Sequence, residues 1–227
     1  MAKLLAIETA TKICSVALFE DSKLLGFKEQ AGDYSHAENL APFTNQLLNE
    51  CDVHIKELAA IAVSKGPGSY TGLRIGVSFA KGLCYSLKIP LIAIDTLISI
   101  AWAKKDLLKT DELVCAMIDA RRMEVYAEIY DANLKTLKKV SADIIDENSY
   151  SSFLEKSKVY FIGDGANKCK ETLTHKNAIF EDSFQASAIY MGELAYKKLD
   201  NNTFEDVAYF EPFYLKDFVA LKGKKLV

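Results

Sequence analysis

Two short apolar runs open the chain, "KLLAIETA" and "ICSVALFED", separated by Thr11 and Lys12. They predict a pair of antiparallel strands, and "KLLGFKEQ" after Asp21-Ser22 predicts a third. From Ser35 the period changes. In "SHAENLAPFTNQLLNEC", Leu40, Phe43, Leu47, Leu48 and Cys51 fall on one side of a helix at roughly 100° per residue. Ser35 and Glu38 have the spacing of a capping box, which places the helix start. Pro42 lies inside this helix and removes one backbone hydrogen bond, so a bend or a loosened turn is expected there.

The pattern continues with "LAAIAVS" as a buried strand, Ser69 to Leu87 as a second helix, "PLIAID" as a strand and Thr96 to Leu108 as a third helix. The second half restarts with strands, "LVCAMID", "EVYAEIYD" and "KTLKKVSA". It goes on through helix "SYSSFLEK", strand "VYFIGDG" and helix "SFQASAIYMGELAYKKL". Strands in a meander followed by alternating helices and strands predict an α/β fold with mixed sheets. The two halves repeat this order in outline. The polar stretch "KKDLLKTDE" places a boundary near Thr110, dividing the chain into subdomains 1–109 and 110–227.

Composition narrows the function classes. Half of the 227 residues are apolar, enough for a substantial core, and the formal net charge is −3. With Lys and Arg spread along the chain there is no basic field able to hold nucleic acid unaided, which argues against an independent RNA-binding module. The five cysteines, Cys14, Cys51, Cys84, Cys115 and Cys169, are odd in number and scattered, with no CxxC pair. They read as reduced, buried thiols of a cytoplasmic protein. No apolar run approaches ~18 residues, so neither a signal peptide nor a membrane span is expected.

The stretch "SKGPGSYTGLRIG", Ser64 to Gly76, is the first place to look for chemistry, because a glycine-rich strand-to-helix turn often holds a phosphate. It fails both common phosphate patterns: the Walker spacing would need Gly-Lys at Thr71 and Gly72, and G-x-G-x-x-G fails at Thr71. The alternative is a tight turn set by Pro67 and Gly68, with Ser69 capping the helix. On the helix, Tyr70, Arg74, Lys81 and Tyr85 share one arc, and nearly all other positions are apolar or small. Gly72, Gly76 and Ala80 recur every fourth residue, and Ser78, Gly82 and Ser86 repeat that spacing on a neighbouring stripe. Mid-helix glycine costs about 1 kcal/mol against alanine, and close approach by another element is the usual compensation. One stripe is expected against the chain's own sheet and one against a partner helix. The first helix agrees, its outer face carrying Asn39, Asn45, Gln46 and Asn49 beside Glu38 and Glu50.

The remaining candidates do not build a reaction centre. His36 at a helix start, His54 in a polar turn and His175 in a Lys-rich loop are far apart and read as solvated. No Gly-x-Ser-x-Gly elbow or nucleophilic cysteine setting is present. Asp119, Arg121 and Arg122 in "DARRMEVY" read as a hairpin turn held by an Asp–Arg ion pair, or as an anion-binding corner. No catalytic residue and no metal ligand is assigned.

Taken in order and spacing, "LLAIETATKICSVALFED", "SHAENLAPFTNQLLNE", "SKGPGSYTGLRIGVSFAKGLC" and "IPLIAIDTL" resemble the TsaB (YeaZ) family, with "IDARRMEVYAEIY" and "EPFYLKDF" as weaker matches. The resemblance implies the actin-like, sugar-kinase-like fold of two related subdomains, and a part in forming threonylcarbamoyl-adenosine in tRNA. That family is the non-catalytic paralogue of the TsaD enzymes, which carry N-H-L-E-G-H after the strand corresponding to "PLIAI". Here Thr96 and Ile100 stand at its two histidines, and Lys12 and Ile13 replace the two carboxylates of the enzymes' first loop. "GDGAN" is similar to the adenosine loop of the fold, so Gly163, Gly165 and Asn167 are weak nucleotide candidates.

The resemblance further implies a scaffold that pairs with a TsaD-type catalytic subunit and recruits a TsaE-type ATPase. Such a scaffold meets tRNA only through the complex and pairs with itself when alone. ATP and metal would belong to the partner subunits. The interface expected from it comprises Leu40, Phe43, Leu47, Gly72, Arg74, Gly76, Phe79, Ala80 and Leu83. The competing reading is an autonomous metallopeptidase or an actin-like ATPase or kinase.

Overall fold

The computed structural model describes residues 1–32 and 36–216. The expected Ser35 cap, the end of "EPFYLKDF" and the basic tail "LKGKKLV" lie outside the described residues. The chain builds two five-stranded sheets from one plan. In the first, β1 (Lys3–Glu8), β2 (Ile13–Glu20) and β3 (Lys23–Ala31) form the expected antiparallel meander, and β4 (Leu58–Gly66) and β5 (Leu91–Asp95) add in parallel, giving the order β3-β2-β1-β4-β5. In the second, β6 (Leu113–Asp119), β7 (Glu124–Asp131) and β8 (Thr136–Ile144) form the meander, with β9 (Val159–Ile162) and β10 (Ala178–Glu181) parallel beyond β6. The two halves therefore share strand order and direction.

Their helices differ. Between β3 and β4 runs α1 (His36–Glu50), and between β4 and β5 runs α2 (Tyr70–Leu87). The equivalent connections of the second sheet hold only the single turn α4 (Ser151–Leu154) and a 3-10 turn, Asn167–Cys169. Both long helices cover one face of the first sheet, where Leu40, Leu47, Leu48, Val77, Ala80 and Cys84 pack on Leu5, Ile7, Val16, Leu18, Ile61 and Val63. Pro42 is exposed on α1, and the helix runs through it.

Two helices cross between the sheets. α3 (Thr96–Trp102) follows β5 yet packs Leu97, Ile100 and Ala101 on Val114, Ala116 and Ile118 of the second sheet. α5 (Gly192–Asp200) follows the second sheet yet lays Ala195 and Tyr196 on Leu4, Ala6 and Phe19 of the first. Thr110 thus separates the sheets in sequence, while each sheet takes one covering helix from the other half. α5 is held by Tyr196 Oη–H donating to the Ala2 carbonyl at 2.5 Å and by Lys198 to the Ala93 carbonyl at 2.6 Å.

Two expectations are corrected and one strand is added. The third helix stops at Trp102, because the chain turns so that Lys104 can bury its stem and pair with Glu181 at 2.8 Å; only a 3-10 turn follows at Lys105–Leu107. The last helix starts at Gly192, after a separate 3-10 turn, Ala188–Tyr190, capped by Ser187. Strand β10 was not anticipated within "NAIFED", where only four residues pair with β9.

Candidate partner interface

The glycine turn and its helix are organised from below by the end of β1. Ser69 N–H donates to the Ala10 carbonyl at 2.6 Å, and Ser69 Oγ accepts from Gly72 N–H at 3.2 Å, capping α2 as its sequence implies. A Cβ added at Gly68 would meet Ala10 at its carbonyl oxygen and its own Cβ. At Gly72 a Cβ would enter the Thr9 carbonyl oxygen, and at Gly76 the Thr9 hydroxyl. The Gly72, Gly76 and Ala80 stripe is therefore buried, and glycine there is what lets α2 lie on β1.

The second stripe points the other way. Thr71, Arg74, Ser78, Gly82, Tyr85 and Ser86 are exposed, Tyr85 at 83 %, and a Cβ at Gly82 would meet nothing within 4 Å. Ile75, Phe79 and Leu83 are half-buried along its edge. Ala37 at the start of α1 joins Tyr70, Thr71, Arg74, Ile75 and Ser78 around a shallow depression, so the outer surface continues across both helices. Of the residues expected at the interface, Leu40, Leu47, Gly72, Gly76 and Ala80 are turned into the chain's own core. Phe43, Phe79 and Leu83 are half-buried, and Arg74 is exposed.

The expected Tyr70, Arg74, Lys81 and Tyr85 arc is partly covered by a segment the periodicity does not place. Residues 205–216 run back along α2 as a strap. Glu205 bridges to Leu91, Lys81 Nζ donates to the Phe210 carbonyl at 2.9 Å, and Phe213 N–H donates to the Lys65 carbonyl at 2.7 Å. Tyr214 packs on Tyr70 with ring centroids 4.7 Å apart, and Lys216 pairs with Glu124 of the second sheet. Arg74 donates to Tyr70 Oη at 2.8 Å. One edge of the outer stripe is thus aromatic and cationic, and α2 carries no acidic residue in its first turn.

The junction between the sheets holds the titratable groups. Glu8, at the end of β1, is completely buried; its Oε1 accepts from Ala10 N–H at 2.6 Å and its Oε2 has no partner among the described residues. Burial pushes its carboxyl up to about 7; the hydrogen bonds oppose this and the charge of Asp164 adds to it. Burial likewise pushes Asp164 up to about 6, although it accepts from Asp119 N–H at 3.1 Å.

Thr96 and Ile100, expected from the resemblance to stand at the enzymes' two histidines, are both buried. Ile100 is part of the core beneath the second sheet, and the Thr96 hydroxyl has no partner among the described residues. Among the described residues no three His, Cys, Asp or Glu side chains gather as metal ligands. His36, expected to be solvated, is buried: its ring Nε2 meets the Thr11 carbonyl at 2.9 Å, and burial lowers its pKa. His54 caps a 3-10 turn, Ile55–Glu57, and His175 accepts from Asn177 N–H at 3.2 Å. Gly163 and Gly165 lie against Met117 and Ile118, with N–H groups already donating to the Phe184 and Met117 carbonyls at 2.9 and 3.2 Å. Only Asn167 of that loop is exposed. Asp119 pairs with Lys168 and accepts from the Arg121 backbone N–H at 2.8 Å, so no Asp119–Arg121 ion pair forms.

Comparison with known proteins agrees with this architecture. The family model described as TsaD: tRNA N6-adenosine threonylcarbamoyltransferase matches residues 29–223. The tRNA threonylcarbamoyladenosine biosynthesis protein TsaB of Haemophilus influenzae is 29 % identical over 229 residues, covering 96 % of this chain and 95 % of that protein. The protein of the same name from Bacillus subtilis is 36 % identical over 140 residues, 62 % of this chain and 60 % of that one. The solved structure of YeaZ from Pseudomonas aeruginosa superposes with a TM-score of 0.81 at 25 % identity, covering 95 % of this chain and all of that one. With two sheets of like order and a match along nearly its whole length, the chain belongs to the TsaD family and, within it, to the TsaB (YeaZ) group.

Proposed function

We propose that this chain is the non-catalytic scaffold of a cytoplasmic assembly that forms threonylcarbamoyl-adenosine in tRNA. It docks a TsaD-type catalytic subunit on the outer stripe of α2 and the adjoining end of α1, and the pair recruits a TsaE-type ATPase. The observation that carries this reading is the contrast on one helix: Gly72 and Gly76 are consumed by β1, whereas Gly82 keeps its approach open on a surface of small residues edged by Ile75 and Phe79. A helix crossing there can come as near as the missing side chain allows, which suits helix-to-helix docking. Without the enzyme the same face supports self-pairing about a two-fold axis. The buried Thr96 and Ile100 and the occupied N–H groups of Gly163 and Gly165 support assigning metal and nucleotide chemistry to the partners.

The test is reconstitution. The purified chain, a TsaD-type subunit and a TsaE-type ATPase should modify tRNA together, and omission of this chain should abolish the activity. The chain alone should turn over neither ATP nor peptide. Turnover by the lone chain that is lost with a tightly held metal would overturn the reading.

A further inference from the structure

The turn between β6 and β7 carries two arginines whose side chains pair with none of the described residues. Asp119 is satisfied by Lys168 and by the Arg121 backbone N–H, and Glu124 by Lys216. The side chains of Arg121 and Arg122 are exposed and make no hydrogen bond or ion pair with the described residues. Their backbones sit at φ 71° and 49°, in the left-handed region. Ala120 N–H donates to the Glu124 carbonyl at 3.1 Å, closing a three-residue loop, Arg121 to Met123, whose first two residues are left-handed, a conformation that Gly and Asn adopt with least strain. Two arginines there are a costly choice for a turn alone, and strain of this kind persists where a site needs it.

The surroundings favour an anion. Four cations, Arg121, Arg122, Lys168 and Lys216, stand against three carboxyls, Asp119, Glu124 and Asp164. Both lysines are already committed, Lys168 Nζ also donating to the Glu124 carbonyl at 2.6 Å, so the free charge is that of the two guanidiniums. The corner lies at the junction of the sheets. Gly165 packs on Ile118 and Asp119 beneath it, and the strap crosses beside it through Lys216.

We propose that the β6–β7 turn is a phosphate-binding corner, in which Arg121 and Arg122 clamp the oxygens of one phosphate group. A guanidinium is a planar fork that is always charged and weakly hydrated, and it matches two oxygens of a phosphate. Two adjacent forks fit a tetrahedral group with three or more free oxygens better than a carboxylate, which offers one pair. A nucleotide and an RNA backbone both present such a group. The inference stands apart from the α2 interface and does not need a bound enzyme subunit.

The experiment uses the full chain with two probes, ADP and unmodified bulk tRNA, titrated over a range of salt while the arginine Nε–H resonances of the isotope-labelled protein are followed. A variant combining Arg121→Asn with Arg122→Gly places at the two left-handed positions the residues that tolerate them best, and should melt no lower than the parent. The expected result is that one probe shifts both arginine resonances and binds the variant at least tenfold more weakly. If that probe is tRNA, the slope of log affinity against log salt should also fall by about 1, the loss of one phosphate contact. The probe that responds identifies the source of the phosphate. Unchanged affinity of the variant for both probes, or no arginine shift with either, would overturn the proposal.

Discussion

The two small-residue stripes of α2 look alike in sequence and have opposite fates. Gly72 and Gly76 are pressed onto Thr9 and Ala80 is buried in the core, whereas Ser78, Gly82 and Ser86 are exposed. Neither stripe announces its direction. What decides it is β1, whose end lies some sixty residues earlier and rises against the helix at Thr9 and Ala10. Small residues on a helix report that something comes near; the location of the sheet tells whether that something is the chain itself.

The largest effect should come from filling the inner stripe. Gly72→Leu drives a side chain into the Thr9 carbonyl, a buried backbone group directly after the central strand β1 that cannot swing aside as a side chain could. A loss of roughly 3 kcal/mol or more is expected, read by denaturant unfolding. A variant as stable as the parent would mean that the two stripes are not distinct.

Next is the floor beneath that stripe. The Glu8 carboxyl titrates near 7 folded against 4.5 unfolded, so between those values the folded chain holds a proton that the unfolded chain has released. Stability is therefore greatest below about pH 4.5 as far as this group is concerned, and it falls as pH rises toward 7, by up to roughly 3 kcal/mol. Asp164 contributes in the same direction between 3.8 and about 6. Glu8→Gln should flatten this slope in unfolding experiments run across the window. A slope unchanged by Glu8→Gln would place the proton elsewhere.

Filling the outer stripe should leave the fold intact and act on association. Gly82→Leu is expected to melt near the parent temperature yet weaken both self-pairing and enzyme capture at least tenfold, measured by light scattering and by titration calorimetry. Full retention of both would move the docking face off α2. The smallest effect is the gentlest change at the same residue. Gly82→Ala places a methyl in open space and removes backbone freedom from the unfolded chain, so it should stabilise by about 0.5–1 kcal/mol. Gly72→Ala, the same substitution ten residues earlier, should destabilise.

Long apolar runs made the first sheet, α1, α2 and the meander of the second sheet legible, because their burial is imposed by their own periodicity. Legibility failed where distant partners decide. β10 is a four-residue strand whose pairing depends on β9, and α3 ends where Lys104 finds Glu181 across 77 positions. The Asp119–Arg121 pair looked natural at two residues' separation, but Lys168, 49 positions along the chain, took the carboxylate. Of the interface residues, the apolar ones on α1 were legible as a packed face without indicating against what. Leu40 and Leu47 belong to the core.

The crossing of α5 onto the first sheet has a consequence for synthesis. Strands β1 to β5 are complete once residue 95 has emerged, but Leu4, Ala6, Ala17 and Phe19 wait for Met191, Ala195 and Tyr196 to cover them. At a translation rate of about 5–20 residues per second, that apolar face stays bare for roughly 5–20 s while the second half is made. A nascent chain of this design must therefore carry half a core open to water, which makes the intervening stretch the period in which a ribosome-bound chaperone, or another nascent chain, meets it.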